Sequence, residues 1–394
     1  MTKAQHQFIP YSRQNIDRDD IKAVLQALRG EYITQGPLIN KFEDKICDSV
    51  NSKYSIVVNS ATSALHLACL ALQLKKNDLL WTSPISFVSS ANCGRYCNAE
   101  VDFVDIDSST GLMDTLALSK KLKEAERIGR LPKVLIPVHL CGTSCDMKEI
   151  SKICSDYQVS IIEDASHALG GRYLKNNIGC CEYSDLSVFS FHPVKIITTG
   201  EGGAVTTNNF TLFEKIKELR THGITKDPNK FIRDEKAPWI YEQQDLGYNY
   251  RLTDIQCALG ISQISKLEKI VKKRNDLFER YKELLNPLPL KLLEIPKGCY
   301  SSLHLAVIRL NNKNKEFHLN VFMSLKSKGI GVQVHYHPIH LQPYYRDLGF
   351  KKGDFPEAEF YSNNAISIPL YPGLTYDQQV YVVKKIEDSI NENS

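Results

Sequence analysis

Through the first half of the chain, short apolar runs alternate with amphipathic stretches, and this constrains the fold more than any other feature. Ile56–Val58, Leu79–Thr82, Val101–Val104, Val134–Val138 and Ser160–Ile162 read as buried strands. Ala61–Leu74, Phe87–Tyr96 and Met147–Tyr157 read as helices between them. Apolar strands separated by helices imply an α/β fold with a mostly parallel sheet covered on both faces. Such sheets bind ligands beyond the carboxyl ends of their strands.

Upstream, Asp17–Leu28 predicts an amphipathic helix with Ile21, Val24, Leu25 and Leu28 at helical spacing, Asp17 as cap and Gly30 as stop. The polar link Glu31–Pro37 leads to a second helix carrying Phe42 and Ile46. After Gln256 the texture changes. One long Lys-rich helix is expected over Ile261–Leu285, then a linker with three prolines over Asn286–Tyr300. Strands at His304–Leu310 and Val332–Tyr336, with helices at Phe317–Lys328 and Tyr376–Ile390, suggest a smaller α+β domain. The expected division is 1–30 as N-terminal segment and helix, 31–260 as large domain, and 261–394 as connecting helix and small domain.

Charge excludes some function classes. The 49 basic and 45 acidic residues give a net charge of +4 with no long run of either sign, so neither nucleic acid nor a membrane surface is an expected partner. The longest apolar stretch, Tyr54–Leu74, is interrupted by Asn59, Ser60, Thr62, Ser63 and His66 and is no membrane span. Eleven cysteines follow a start (MTKAQHQFIPYSRQN) that lacks a charged-then-apolar leader, so reduced thiols in a cytoplasm are expected. The pairs Cys93/Cys97 and Cys141/Cys145 and the adjacent Cys180 and Cys181 have poor spacing for zinc and no paired histidines; no metal site is expected.

Three stretches carry possible chemistry. Lys195 lies between the apolar run Leu186, Val188, Phe189, Phe191 and a turn rich in Thr and Gly. A lysine in an apolar setting loses part of its charge stabilisation, so its amine suits Schiff-base chemistry, above all with pyridoxal phosphate. Asn59–Ser63, where a strand meets a helix, offers free N–H groups and hydroxyls to an anion, although taken alone the motif reads first as a plain N-cap. Ser160–Asp164 is a strand ending in two acids. Asp164 would point into the ligand crevice and could keep a pyridine nitrogen protonated; the alternative is a helix cap. His167 could be structural. Asp164 and Lys195 are 31 residues apart, with room for a hairpin between them. Ser190 could add a hydroxyl to the anion site, and Phe87, on the following helix, could stack on a ring or simply be core. No GxGxxG follows a strand, which argues against a nicotinamide oxidoreductase.

NSATSAL (59–65), PISF (84–87), EDASHALG (163–170), FSFHPVKIITTGEGGAV (189–205), RTHGI (220–224) and LGYNYRLTDIQCALG (246–260) together resemble the DegT/DnrJ/EryC1/StrS sugar-nucleotide aminotransferases, colinearly over the whole chain. GVQVHYHPI (331–339), the N-terminal stretch and the Lys195 segment are most similar to the branch serving pseudaminic acid biosynthesis, which aminates C4 of a UDP-linked 4-keto-6-deoxy-N-acetyl sugar. The resemblance implies the fold-type-I architecture of pyridoxal-phosphate enzymes, with a mostly parallel seven-stranded sheet, and a homodimer with active sites at the subunit interface. It implies that Lys195 forms the Schiff base, Asp164 partners the pyridine nitrogen, and Ala61, Thr62 and Ser190 hold the phosphate. Phe87 would stack on the ring. His167 stands where many members carry Gln near the ring hydroxyl. Asn249 would reach the neighbouring subunit's phosphate, with Arg251 beside it toward the substrate. Tyr11, the link Glu31, Tyr32, Ile33 and Thr34, and His335 and Tyr336 would lie near the sugar nucleotide, with His222 a further candidate. Glutamate is the family's usual donor. Lys195 argues against the dehydratase branch, in which histidine replaces the lysine. Other readings are amination at C3 or of another nucleotide sugar, and a non-catalytic regulator that keeps the fold.

Overall fold

The computed structural model describes residues 8–234, 237–311 and 314–393; the first seven residues, on which the expectation about a leader partly fell, lie outside these. The first helix, α1 (Arg18–Arg29), begins as its sequence predicts. Asp17 accepts the N–H groups of Asp19 and Asp20, and the Asp20 carboxylate returns to the Asp17 N–H at 2.9 Å. Its apolar stripe, however, faces outward: Ile21, Leu25 and Leu28 are 55%, 46% and 53% exposed. The face turned inward is led by Asp20, which is fully buried. Its carboxylate accepts from Ser262 Oγ, Gln263 Nε2 and Lys266 Nζ at 2.6, 2.7 and 2.8 Å. A buried carboxylate needs such partners, so this network fixes how α1 docks.

A second helix, α2 (Pro37–Val50), buries Ile39, Phe42, Ile46 and Val50 and ends on Asn51 in the left-handed conformation. The central sheet follows. Its strands are β1 (Tyr54–Val58), β2 (Leu79–Thr82), β3 (Glu100–Phe103), β4 (Val134–Ile136), β5 (Ser160–Asp164), β6 (Leu186–Ser190) and β7 (Gly203–Thr207). They lie in the order β1-β7-β6-β5-β4-β2-β3. Only β7 runs antiparallel to its neighbours, so the other six strands end on one edge. Helices α3 (Ala61–Ala71), α4 (Ser89–Tyr96), α5 (Thr115–Arg127), α6 (Met147–Asp156) and α7 (Phe210–Arg220) connect the strands or follow β7. The expected hairpin between Asp164 and Lys195 is present, pairing Arg172–Tyr173 with Asn176–Asn177.

Phe87 is not on a helix. Pro84 and the bond from the Ile85 N–H to Ser83 Oγ (3.2 Å) shape a bend, and α4 starts only at Ser89. The expected single helix over 261–285 is two: α8 (Asp254–Ile264) and α9 (Leu267–Leu285). A Thr253 capping box starts α8 upstream of Ile261. The break falls at Lys266, whose amine reaches Asp17 and Asp20 across 2.7 and 2.8 Å. A long-range contact coincides with this break, and local periodicity does not record it. The proline-bearing stretch is not merely a linker. Its β8 (Leu290–Leu292) pairs with β9 (Ala306–Leu310), which pairs with β10 (Ala365–Ile368), and α10 (Lys315–Ser327) and α11 (Tyr376–Asn391) contribute to the same core. Val332–Tyr336 forms no strand; Gln333 alone bridges to Ser367, while His335 and Tyr336 line a cavity.

Candidate active site

Six parallel strands ending together leave a crevice at their carboxyl edge, and a cavity of about 490 Å³ opens there. Lys195 sits in the loop between β6 and β7. The Thr and Gly residues of that loop fold it onto itself: Thr198 Oγ1 donates to the Phe191 carbonyl at 3.0 Å, the Gly200 N–H donates to Thr198 Oγ1 at 3.0 Å, and Gly200 takes φ +82°. Lys195 is half-buried on the cavity wall. Enclosure of the amine pushes its pKa down to about 8, against the opposing pull of Asp164. No hydrogen bond or ion pair to this amine is found among the described residues.

Asp164 ends β5 and is 4% exposed. Ser90 Oγ donates to its Oδ2 at 2.6 Å and the Ser166 N–H to its Oδ1 at 3.2 Å; Ser86 Oγ lies 2.6 Å from Ser90 Oγ. The bond to Ser166 is a local turn and no helix follows, so Asp164 is not a helix cap. At the other end of the cavity α3 begins. Ser60 Oγ caps the Ser63 N–H at 3.1 Å, and Ala61 and Thr62, in the first turn where N–H groups lack intrahelical acceptors, line the cavity. The N-cap reading of Asn59–Ser63 therefore holds, and the cap leaves the start of α3 at the cavity wall. Gly203 makes the approach possible, since a Cβ there would meet Ala61 N and Ser60 C at 2.6 Å. Ser190, at the end of β6, completes this corner.

Phe87, 58% exposed, stands on the wall with its ring 6.4 Å from that of Tyr336. His167 is buried; its Nε2 lies 3.2 Å from Tyr336 Oη and its Nδ1 has no partner. Burial, aided by the charge of Lys195, holds His167 well below the usual imidazole range. His335 is pushed down to about 3 by burial, and its Nδ1 bonds Ser367 Oγ at 2.7 Å. Tyr11 packs on His335 with ring centroids 5.3 Å apart.

Thus the fold brings together Tyr11, Ala61, Thr62, Phe87, Asp164, His167, Ser190, Lys195, His335 and Tyr336. It does not bring the remaining candidates to this cavity. Glu31, Tyr32, Ile33 and Thr34 are all exposed on the link after α1, and His222 and Asn249 are exposed as well. Arg251 bridges to Val58 and lines a separate depression of about 230 Å³ with Gln35, Asn40 and Arg220. Sequence reasoning missed Ser86, Ser166, His192, Glu201 and His304 on the cavity wall, and the buried Ser90 that donates to Asp164. The i, i+4 spacing of Ser86 and Ser90 beside PISF was a usable signal; nothing local singles out His304.

A deprotonatable lysine, a carboxylate held by a hydroxyl and an open helix start, arranged around one cavity, define a site for a phosphate-bearing aromatic aldehyde. The residues fit pyridoxal phosphate. The chain belongs to the DegT/DnrJ/EryC1/StrS aminotransferase family, whose profile matches residues 14–387. It is 38% identical over 378 residues, 95% of each chain, to the UDP-4-amino-4,6-dideoxy-N-acetyl-beta-L-altrosamine transaminase of Campylobacter jejuni. It is similar in structure to Helicobacter pylori PseC, an aminotransferase involved in pseudoaminic acid biosynthesis, with a TM-score of 0.89, 32% identity and coverage of 98% and 100% of the two chains. The PMP form of Streptococcus pneumoniae Spr1654 superposes with a TM-score of 0.90 at 27% identity, again over 98% and 100%.

Proposed function

We propose that this protein, a pyridoxal-phosphate-dependent sugar aminotransferase, transfers an amino group from glutamate to C4 of a UDP-linked 4-keto-6-deoxy-N-acetylhexose. The carrying observation is the full-length similarity to the Campylobacter transaminase of that sugar class. The full-length likeness to PseC supports the pseudaminic acid setting.

When bound, pyridoxal phosphate supplies the electron sink that lets an amino acid lose its α-proton and pass on its nitrogen. The chain's own residues would do the rest. The N–H groups of Ala61 and Thr62 and the Ser190 hydroxyl would bind the phosphate, and the Asp164 carboxylate would accept from the pyridinium N–H. Phe87 would cover one ring face and His167 would face the ring hydroxyl. Lys195 would hold the cofactor through its amine. Once freed by the donor, the same amine would take and return the proton, for which a pKa of about 8 suits it near neutral pH. Tyr11, His335 and Tyr336 would contact the sugar.

A homodimer is part of this proposal. The outward apolar stripe of α1 suits a subunit contact, and Tyr32 and Ile33 beside it are half exposed. Asn249, Arg251, His222 and Glu31–Thr34 would then serve the neighbouring subunit's cavity. A cytoplasmic setting also belongs to the proposal, since all eleven cysteines are free.

The test is the absorbance of the purified protein with glutamate, then with ketosugars. A band at roughly 410–430 nm moving to about 330 nm reports the donor half-reaction. Return of that band with the UDP-4-ketosugar, and not with dTDP-linked or 3-keto sugars, supports the substrate. Return only with one of the others replaces it.

A further inference from the structure

His304 shares the cavity with Lys195, yet no motif accounts for it. It is 2% exposed, and its ring lies 4.4 Å from that of His167 at a 46° tilt. The Nδ1 atoms of both rings are buried without a partner. His167 also neighbours Tyr336, with ring centroids 6.1 Å apart and planes 24° apart. His167 thus touches both His304 and the tyrosine whose hydroxyl it bonds.

The backbone that delivers His304 is fixed at several points. Ser302 Oγ donates to the His167 carbonyl at 2.8 Å, and the Ser302 N–H donates to the Gly142 carbonyl at 3.0 Å. A Cβ at Gly142 would lie 2.4 Å from Ser302 Oγ, so the two segments are pressed together. Leu303 takes φ +52°, a conformation a leucine keeps only where its surroundings hold it. Arg274, fully buried, supplies that hold. Its Nη1 donates to the carbonyls of Leu303 and His304 at 3.2 Å and of Leu370 at 3.0 Å. A strained turn and a buried guanidinium with no carboxylate partner among the described residues together place one imidazole against another.

We propose that His304 is a positioning residue for transamination: it fixes the plane of the His167 imidazole and, through it, the Tyr336 hydroxyl at the cavity wall. Burial, with the charges of Lys195 and Arg274 nearby, keeps the His304 ring neutral. It therefore packs on His167 without adding a cation beside the lysine. This inference rests on the pyridoxal-phosphate reading of the cavity.

The test compares holoenzymes of wild type, His304→Ala and His304→Phe. Removing the ring is expected to lower kcat about tenfold to a hundredfold with the donor KM nearly unchanged, since loss of orientation acts on the chemical step. The visible circular dichroism of the bound cofactor should change as well. Phenylalanine, which restores a flat ring, should recover most of both. Because His304 acts through His167, the double variant His167→Ala/His304→Ala should be no slower than His167→Ala alone. Wild-type kcat and dichroism in His304→Ala, or additive losses in the double variant, overturn the proposal. Should His304→Ala fail to fold, Ser302→Ala removes only the hydroxyl on the His167 carbonyl and should lower kcat in the same direction; an unchanged kcat there also overturns it. A wild-type protein that stays colourless with added pyridoxal phosphate brings down the cofactor reading itself, which separates the two failures.

Discussion

Two groups of residues share one set of family motifs but occupy different surroundings. Lys195, Asp164 and the start of α3 are gathered around one cavity at the carboxyl edge of the sheet, with Asp164 held by hydrogen bonds from the same chain. Glu31–Thr34, His222 and Asn249 lie open on the surface, and Arg251 borders a second depression next to β1. The first group has the marks of a finished site: a lysine with a depressed pKa, an acid held by two donors, orphaned imidazole nitrogens. The second has exposed polar side chains and half-exposed apolar neighbours. In the homodimer proposed above, the second group would serve the neighbouring subunit's cavity.

Breaking the first group should have the largest effect. Lys195→Ala is expected to cut turnover by about 10³- to 10⁴-fold or more, because the base and the attachment point vanish together. Appreciable steady-state amination by that variant would remove the role given to the lysine. Asp164→Asn should cost about 10²- to 10³-fold in kcat, with far-UV dichroism and melting temperature close to wild type. A wild-type rate would reduce the carboxylate to a turn-forming group.

The second group offers a test that separates the two regions directly. Arg251→Ala should lose about 10²-fold in activity although it lies outside its own cavity. Co-expressed with Lys195→Ala, it should recover about a quarter of wild-type activity, because mixed dimers keep one intact site. No recovery would mean that the surface group does not work across an interface.

Acidity probes the enclosed lysine. Burial lowers its pKa from 10.5 to about 8, so the neutral amine is plentiful above that pH and scarce below it. Capture of added pyridoxal phosphate by the cofactor-free protein, followed by absorbance, should slow about tenfold per pH unit below roughly pH 7 and level off above pH 9. A rate that is flat from pH 6 to 10 would contradict the enclosure. The smallest effect is expected on α1: Leu25→Asp should weaken self-association about tenfold, read by sedimentation-equilibrium or size-exclusion profiles across concentration. An unaltered profile would place the subunit contact elsewhere.

Much of this site could be read before any coordinates, for identifiable reasons. The N–H groups at the start of α3, the acid closing β5 and the Gly-rich turn after β6 are local features, set by caps and turn geometry over a few residues. The alternation that produces a mostly parallel sheet is equally local, and it placed Asp164 and Lys195 at one edge. What the sequence could not supply were decisions taken between distant segments. Apolar spacing gave α1 its helix, but the partners of Asp20 on α8 and at Lys266 turned the stripe outward. The break between α8 and α9 sits where Lys266 answers that same network. His304 reached the cavity because Arg274 and Ser302 hold a strained turn against His167. Short-range chemistry therefore determined the elements and the motif-borne half of the site. Which faces are buried, where a helix stops and which histidine meets the lysine were decided by contacts whose partners lie far apart in the chain, and only folding brings those together.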